Sequence, residues 1–350
     1  MAFNWSPLLQ VIALFIVAVS VTGTKSKEAR DLGNRTAEDE LNFLVIADWG
    51  GIPIWPYVSP DELSVAVQMA KISAEVDAKF VLAYGDNFYE DGVKDVNDKR
   101  FTETFENVFS QTSLQIPWYV VAGNHDHRGN VSGQIAYSDK SNRWNFPSEY
   151  YRLNFKIPGG GATMVVLMID TVVLCGGAHD DVPGCDLRGP DNPVHAETQW
   201  QWIEKELEAS KDADYVIVGG HYPVWSISEH GPTIRLVDRL RPLLLKYNVT
   251  AYFSGHDHNL QHIRESNTSL DVFVIGSANI VQPSLAHMDS VPAEWVKFYY
   301  AHLGSLGGFA YVTATSDKLK LTFVTGVGNR DIYSIDMMPR PKNHILEQNL

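Results

Sequence analysis

Five short apolar runs in this chain each end in a polar cluster that contains glycine: Asp48–Gly50, Gly85–Tyr89, Gly123–Asp126, Gly219–His221 and Gly255–His258. Continuous apolar runs of this length read as strands buried on both faces. In open α/β sheets, ligands gather beyond the carboxyl ends of the strands, and glycine lets the backbone turn or approach closely there. One such cluster would be weak, but five after five apolar runs converge on a single site. The rest of the fold must bring those strand ends together.

The segments between the runs read as helices. Ser59–Glu62 offers an N-cap, a proline at the first helical position and a glutamate at the third, opening a helix that runs to about Val76. Further helices are expected over Asp98–Phe109, Ala196–Ala209 and Thr233–Tyr247. Strands are expected over Asn42–Ala47, Phe80–Tyr84, Trp118–Ala122, Thr163–Ile169, Tyr215–Val218 and Ala251–Ser254. Val272–Ile275, Phe309–Thr315 and Lys318–Thr325 read as antiparallel, the last two as a hairpin around Ser316 and Asp317. The reading is one large α/β domain over 41–338, with mixed sheets covered by helices.

The strand ends would bury two carboxylates, a phenol, an amide and several imidazoles, which is costly unless they are paired or bound to metal. Asp48, Asp86 and Tyr89 offer hard anionic oxygen, suited to a highly charged ion. Asn124, His221 and His256 offer neutral oxygen and nitrogen, suited to a divalent ion. With Asp86 bridging, the pair would have the spacing used in two-metal hydrolysis, about 3.5–4 Å.

These blocks resemble the metallophosphoesterase superfamily, whose pattern is D…GDxx(Y/D)…GNH(D/E)…H…GHxH. More narrowly the chain resembles the purple acid phosphatases of the small, tartrate-resistant (type 5) kind, through about residues 41–338, with Gly220–Ser226 and Glu229–Thr233 as further matching segments. Many superfamily members carry a histidine two residues after the first aspartate. Gly50 stands there, and a tyrosine after the second aspartate, here Tyr89, takes its part.

The resemblance implies a four-layer αββα sandwich of two mixed sheets flanked by helices. It implies Fe(III) held by Asp48, Asp86, Tyr89 and His258, and Fe(II) or another divalent ion held by Asp86, Asn124, His221 and His256. It further implies that His125 and His230 deliver a proton to the leaving group or bind phosphate, with Glu229 tuning His230. The activity implied is acid hydrolysis of phosphate monoesters such as aryl phosphates, nucleotides and phosphoproteins, by in-line attack of a metal-bound hydroxide. A phosphodiesterase is disfavoured by Gly50 and Tyr89; an extracellular iron-binding or redox-active glycoprotein with incidental phosphatase activity is the alternative.

Animal members also carry a loop at the place of Cys175–Pro193 whose acidic residue represses activity until proteolysis. Asp180, Asp181 and Asp186 are the candidates for that contact, and cleavage near Arg188 by an activating protease is the expectation. The chain departs from the mammalian pattern beyond His230, where Ile234-Arg235 stands without a cysteine. The bland reading of the segment is a solvated loop.

The first 23 residues contain no Asp, Glu, Lys or Arg, and Leu8–Val21 is almost wholly apolar. This reads as a signal peptide cleaved after Ser20 or Gly23, too short for a membrane span, followed by a polar arm over 24–40. Sequons at Asn34, Asn130, Asn248 and Asn267 agree with a secreted or lysosomal glycoprotein, in which Cys175 and Cys185 could close a short loop. Residues 339–350 form a polar tail. A net charge of -14, with basic residues scattered, argues against a nucleic-acid partner. A glycosylated chain of this size without a membrane anchor reads as a monomer. His127 and His262 flank ligand blocks and are assigned local hydrogen bonds, and Trp49, Trp118, Trp144, Trp200, Trp202 and Trp225 are assigned to packing.

Overall fold

Two mixed β-sheets, seven strands in each among the described residues, form the centre of the protein. The computed structural model describes residues 39–178, 189–328 and 331–341. The leader, most of the arm, Asn34, Asp180, Asp181, Cys185, Asp186, Arg188 and nearly all of the tail lie outside these. The first sheet opens with β1 (Leu41–Ile46), β2 (Val81–Tyr84), β3 (Trp118–Val121) and β4 (Trp144–Asn145). The second comprises β5 (Tyr151–Lys156), β6 (Thr163–Met168), β7 (Tyr215–Gly219), β8 (Ala251–Ser254), β9 (Leu260–Arg264), β10 (Asp271–Ile275) and β11 (Val296–Tyr300). The chain then returns to the first sheet with β12 (Gly308–Ala314), β13 (Leu319–Thr325) and β14 (Asp331–Met337). The strand orders are β14-β13-β12-β1-β2-β3-β4 and β11-β9-β10-β8-β7-β6-β5.

The apolar runs are continuous because both faces of these strands are covered. In β6, Met164, Val166 and Met168 point into the core between the sheets, while Val165 and Leu167 pack outward. In β7, Tyr215 and Ile217 point inward, and Val216 and Val218 outward. Outward side chains of the second sheet meet Trp200, Ile203 and Leu207 of one helix and Leu240 and Leu244 of another. On the first sheet, Val65, Ala66 and Met69 of the Ser59-capped helix join the core. Helices thus flank two mixed sheets, the layering the resemblance implies.

That first helix, α1 (Pro60–Val76), has the expected start: Ser59 Oγ accepts from the Glu62 N–H at 3.0 Å, and Glu62 Oε2 accepts from the Ser59 N–H at 3.3 Å. Two short helices follow β3, α2 (Asn124–Arg128) and α3 (Val131–Tyr137), and α4 (Thr171–Cys175) follows β6. Helix α5 (Pro193–Ala209) starts three residues earlier than Ala196, because Asn192 caps it through the His195 N–H. The expected Thr233–Tyr247 helix is a π-helical stretch, Leu236–Leu240, running into α6 (Arg241–Lys246).

Three other sequence expectations change. Asp98–Phe109 is helical only over Phe101–Glu106, because Asp98 is used to close the preceding turn: its carboxylate accepts from the N–H groups of Lys94 and Arg100. β10 is antiparallel to β9 but parallel to β8. Strands β4, β5, β9, β11 and β14 carry too many polar residues to stand out as apolar runs. The hairpin at Ser316 and Asp317 is present, closed by Thr315 N–H donating to the Lys318 carbonyl.

The arrangement matters for function because β1, β2 and β3 are parallel, as are β6, β7 and β8. The carboxyl ends of each set therefore lie along one edge of its sheet. Trp49, Phe88, Phe105, Phe109, Trp118 and Trp144 pack ring against ring behind the first three ends, anchoring the loops that leave them. Trp200 is likewise buried, Trp202 lies against Tyr150 and Trp225 against Trp295, so the tryptophans serve packing as expected.

Candidate metal centre

The strand-end residues meet as two clusters of donor atoms. In the first, Tyr89 Oη lies 3.1 Å from Asp48 Oδ1 and 3.2 Å from His258 Nε2, and His258 Nε2 lies 3.5 Å from Asp48 Oδ1. In the second, His221 Nε2 lies 2.9 Å from Asn124 Oδ1 and 3.3 Å from Asp86 Oδ2. One donor atom each of Asp48, Asp86 and His221 falls within 4.8 Å of the others, which joins the clusters. Ligands about 2.1 Å from one cation stand roughly 3 Å apart at right angles, so this spacing suits a coordination shell.

Each cluster draws on both sheets. Asp48 ends β1, and its carboxylate accepts the His256 N–H from the end of β8 at 2.9 Å. His221 follows β7, and its Nδ1 faces the Tyr84 carbonyl on β2 at 3.0 Å. A carbonyl can only accept, so Nδ1 donates to it and Nε2 is the nitrogen turned toward Asn124 and Asp86, where a cation would replace its proton. Asp48, Asp86 and His256 all have positive φ, at 56°, 52° and 70°. Non-glycine residues are held there only where the surroundings over-determine them, and such strain concentrates at functional sites.

Two glycines are required by close approach. A Cβ on Gly123 would fall 2.2 Å from Asp86 Oδ1, so the β3 turn leaves room for that carboxylate. A Cβ on Gly50 would fall 2.5 Å from the Phe88 nitrogen, because the loops after β1 and β2 run against each other there. The Tyr89 N–H donates to the Gly50 carbonyl at 3.0 Å, and an Arg100 guanidinium nitrogen donates to it at 2.7 Å. No side chain fits at residue 50 without moving the backbone of Phe88.

The electrostatics ask for positive charge. Asp48 and Asp86 are buried. Burial would raise the Asp86 carboxyl, but the His221 and His125 charges hold it below the usual carboxylate range. Burial would lower His221, but Asp86 and then Asp48 lift it to about 9. The Tyr89 phenol is pushed well up by burial and by both carboxylates, so without a cation it keeps its proton. Burial and the neighbouring imidazoles keep His256 neutral, ready to donate a lone pair. A cation placed among these groups would neutralise both carboxylates and release the phenol, so the residues fit a metal centre.

Of the remaining predicted residues, His125 and His230 lie beside this centre. The His125 N–H donates to Asp86 Oδ1 at 3.1 Å, and its Nδ1 faces the Glu90 carbonyl at 2.6 Å, which leaves Nε2 3.9 Å from Asp86 Oδ2. The His230 ring stacks on His256 with centroids 3.9 Å apart, and burial lowers its pKa against the pull of Asp257. Glu229 accepts a hydrogen bond from Ser284 Oγ at 2.7 Å. Cys175 is buried at the end of α4, and its suggested partner Cys185 is outside the described residues. His127 bonds Asp170 at 2.7 Å, and His262 bonds Asp271 at 2.6 Å and Tyr333 at 2.7 Å, the local roles expected.

Three buried carboxylates near the centre were not singled out from sequence. Asp126 accepts from the N–H groups of Gly123 and Asn87, and Asp257 accepts from Ser226 and His230. Asp170 caps α4 and holds His127. Asp170 had the same signal as the ligands, a polar residue ending an apolar run, in Thr163–Asp170. Asp257 stands between two candidate ligands, and Asp126 two residues after Asn124 in its own block.

The family model for calcineurin-like phosphoesterases matches residues 41–260. Tartrate-resistant acid phosphatase type 5 of Rattus norvegicus is 48% identical over 303 residues, covering 86% of this chain and 91% of that protein. Purple acid phosphatase 4 of Arabidopsis thaliana is 30% identical over 306 residues, covering 83% and 82%. Among solved structures, GAP50, the anchor in the inner membrane complex of Plasmodium, matches with a TM-score of 0.73 and 23% identity, covering 87% of this chain and 90% of its own. At that identity the likeness concerns the fold alone.

Proposed function

The chain belongs to the calcineurin-like phosphoesterases, in their purple acid phosphatase branch, and from that we propose a secretory-pathway phosphomonoesterase working through a di-iron centre. It is an acid phosphatase, a hydrolase of phosphate monoesters. The observation that carries the finer reading is the pair of donor clusters with unequal chemistry. Asp48, Tyr89 and His258 would hold the trivalent ion, and Asn124, His221 and His256 the divalent one, with Asp86 between. When bound, the two cations supply charge for the phosphoryl oxygens and acidify a water enough to serve as nucleophile below neutral pH.

The chain's own residues do the rest. The two aspartates bring anionic oxygen into a buried place beside a phenol that a cation would ionise, which favours positive charge, and hence a phosphate, there. His125, oriented by the Glu90 carbonyl through Nδ1, presents Nε2 beside Asp86. A proton held there, or on His230 over His256, would neutralise the departing alkoxide or phenoxide; a positioned acid of this kind contributes about 10²–10⁴-fold.

Secretory residence is supported by the apolar leader and by the exposed position of Asn267 in its sequon. An activating protease acting within Cys175–Pro193 belongs to the same proposal, as do a monomeric state and small phosphomonoester or phosphoprotein substrates. No helix among the described residues is long and apolar enough to cross a membrane. The test is a pH–rate profile on an aryl phosphate, with iron counted on the same sample. Fast turnover with an acidic optimum and about two irons per chain is expected. Two irons with negligible turnover across pH would favour the iron-binding alternative.

A further inference from the structure

We propose that Asp257 is the positioning residue for His230, a proposal that rests on the reading of His230 as proton donor given above. Asp257 stands between the ligands His256 and His258 and is fully buried. One of its oxygens accepts the His230 N–H at 2.9 Å, and the other accepts Ser226 Oγ at 2.5 Å. The carboxylate thus grips both ends of the segment 226–230. Glu229, the residue suggested by resemblance for tuning His230, accepts from Ser284 Oγ.

The grip is part of a larger buried network. Ser226 Oγ accepts from Gln261 Nε2 at 2.8 Å and from the Ser228 N–H at 3.2 Å. Gln261 Oε1 accepts the Ile227 N–H at 3.0 Å, and its Nε2 also donates to Asn259 Oδ1 at 2.7 Å. Asn259 Nδ2 donates to Ser228 Oγ at 2.7 Å. Ser226, Ser228, Asp257, Asn259 and Gln261 are all fully buried.

Hydrogen-bonded polar groups add little net stability over well-packed apolar ones of the same shape. What they add is direction, since a satisfied buried network admits one arrangement. The direction set here is that of the residue 230 backbone, and through it the ring stacked on His256. The Asp257 carboxylate bonds the His230 backbone and Ser226 rather than either donor cluster, so it acts through His230.

The test uses the full-length, metal-loaded protein and the variants Asp257→Asn, Ser226→Ala and His230→Ala, alone and combined. kcat and KM are measured on 4-nitrophenyl phosphate, a good leaving group, and on an alkyl phosphate, a poor one that needs the proton more. Metal content is measured on every sample. Asp257→Asn is expected to lower kcat on the alkyl phosphate by about 10–100-fold, less on the aryl ester, with metal content unchanged. In the His230→Ala background the same change should add less than about twofold, because the two residues act as a unit.

Ser226→Ala, which leaves the carboxylate in place, should show the same leaving-group pattern more weakly, and it carries the test if Asp257→Asn does not fold. Equal losses on both substrates, losses that multiply with His230→Ala, or metal loss in Asp257→Asn would each overturn the proposal. Full alkyl phosphatase activity in His230→Ala would overturn it too, at a different point, by removing His230 from the reaction while leaving the metal centre intact.

Discussion

The Tyr89 hydroxyl lies 3.1 Å from Asp48 Oδ1, although the two residues end different strands and stand 41 positions apart in sequence. Both are buried, and burial together with the carboxylate drives the phenol away from ionisation. A cation reverses that preference, because it is attracted to phenolate and carboxylate alike.

If Tyr89 binds Fe(III) as proposed, the iron-loaded protein should absorb visible light by phenolate-to-iron charge transfer, and Tyr89→Phe should remove that band. Absorption spectroscopy at equal iron content is the measurement. A variant that stays equally coloured would take Tyr89 off the iron.

His221→Ala removes the nitrogen that Tyr84 orients toward Asn124 and Asp86. Bound metal is expected to fall from about two equivalents to about one, since the Asp48–Tyr89–His258 cluster is untouched. Metal analysis showing two full equivalents would contradict the assignment.

Gly50→His should not create a better ligand set. Its Cβ would meet the Phe88 nitrogen at 2.5 Å, a backbone atom pinned by the Tyr89–Gly50 hydrogen bond, so the loops must separate. A loss of about 1–3 kcal/mol is expected in chemical denaturation. Wild-type stability with metal bound by the new imidazole would refute the steric account.

His127 and Asp170 predict a pH dependence of stability. Burial disfavours the imidazolium, but the Asp170 charge outweighs it, so the folded pKa lies above the ordinary 6.5. The pair's contribution is fully present below about pH 6.5 and is lost as pH rises through the folded value. His127→Asn should thus lower the unfolding midpoint more at pH 5 than at pH 9. Equal destabilisation at both would show that the pair does not titrate.

Much of the site could be read from the chain because strand ends announce themselves. An apolar run stops, glycine permits the turn, and the next polar residue lies at the carboxyl edge of a sheet, the place that Asp48, Asp86, Asn124, His221 and His256 occupy. The capping box at Ser59 was equally legible, because its hydrogen bonds span three residues. β14 and β11 were not legible. Their alternating or partly polar residues take their meaning from the edges they occupy, and an edge exists only once the sheet is assembled.

Sequence by itself thus determined which polar residues stand at the strand ends and the strand-helix rhythm that presents them, since both follow from side-chain type and short-range periodicity. Tertiary structure alone decided which donors meet within 3.5 Å, that residue 50 has no room for a side chain, and that Asp257 rather than Glu229 holds the His230 backbone. Those outcomes depend on how two sheets, joined by contacts such as His256 to Asp48 across 208 residues, lie against each other. Packing of that range is set by the whole core at once, and no local stretch of sequence encodes it.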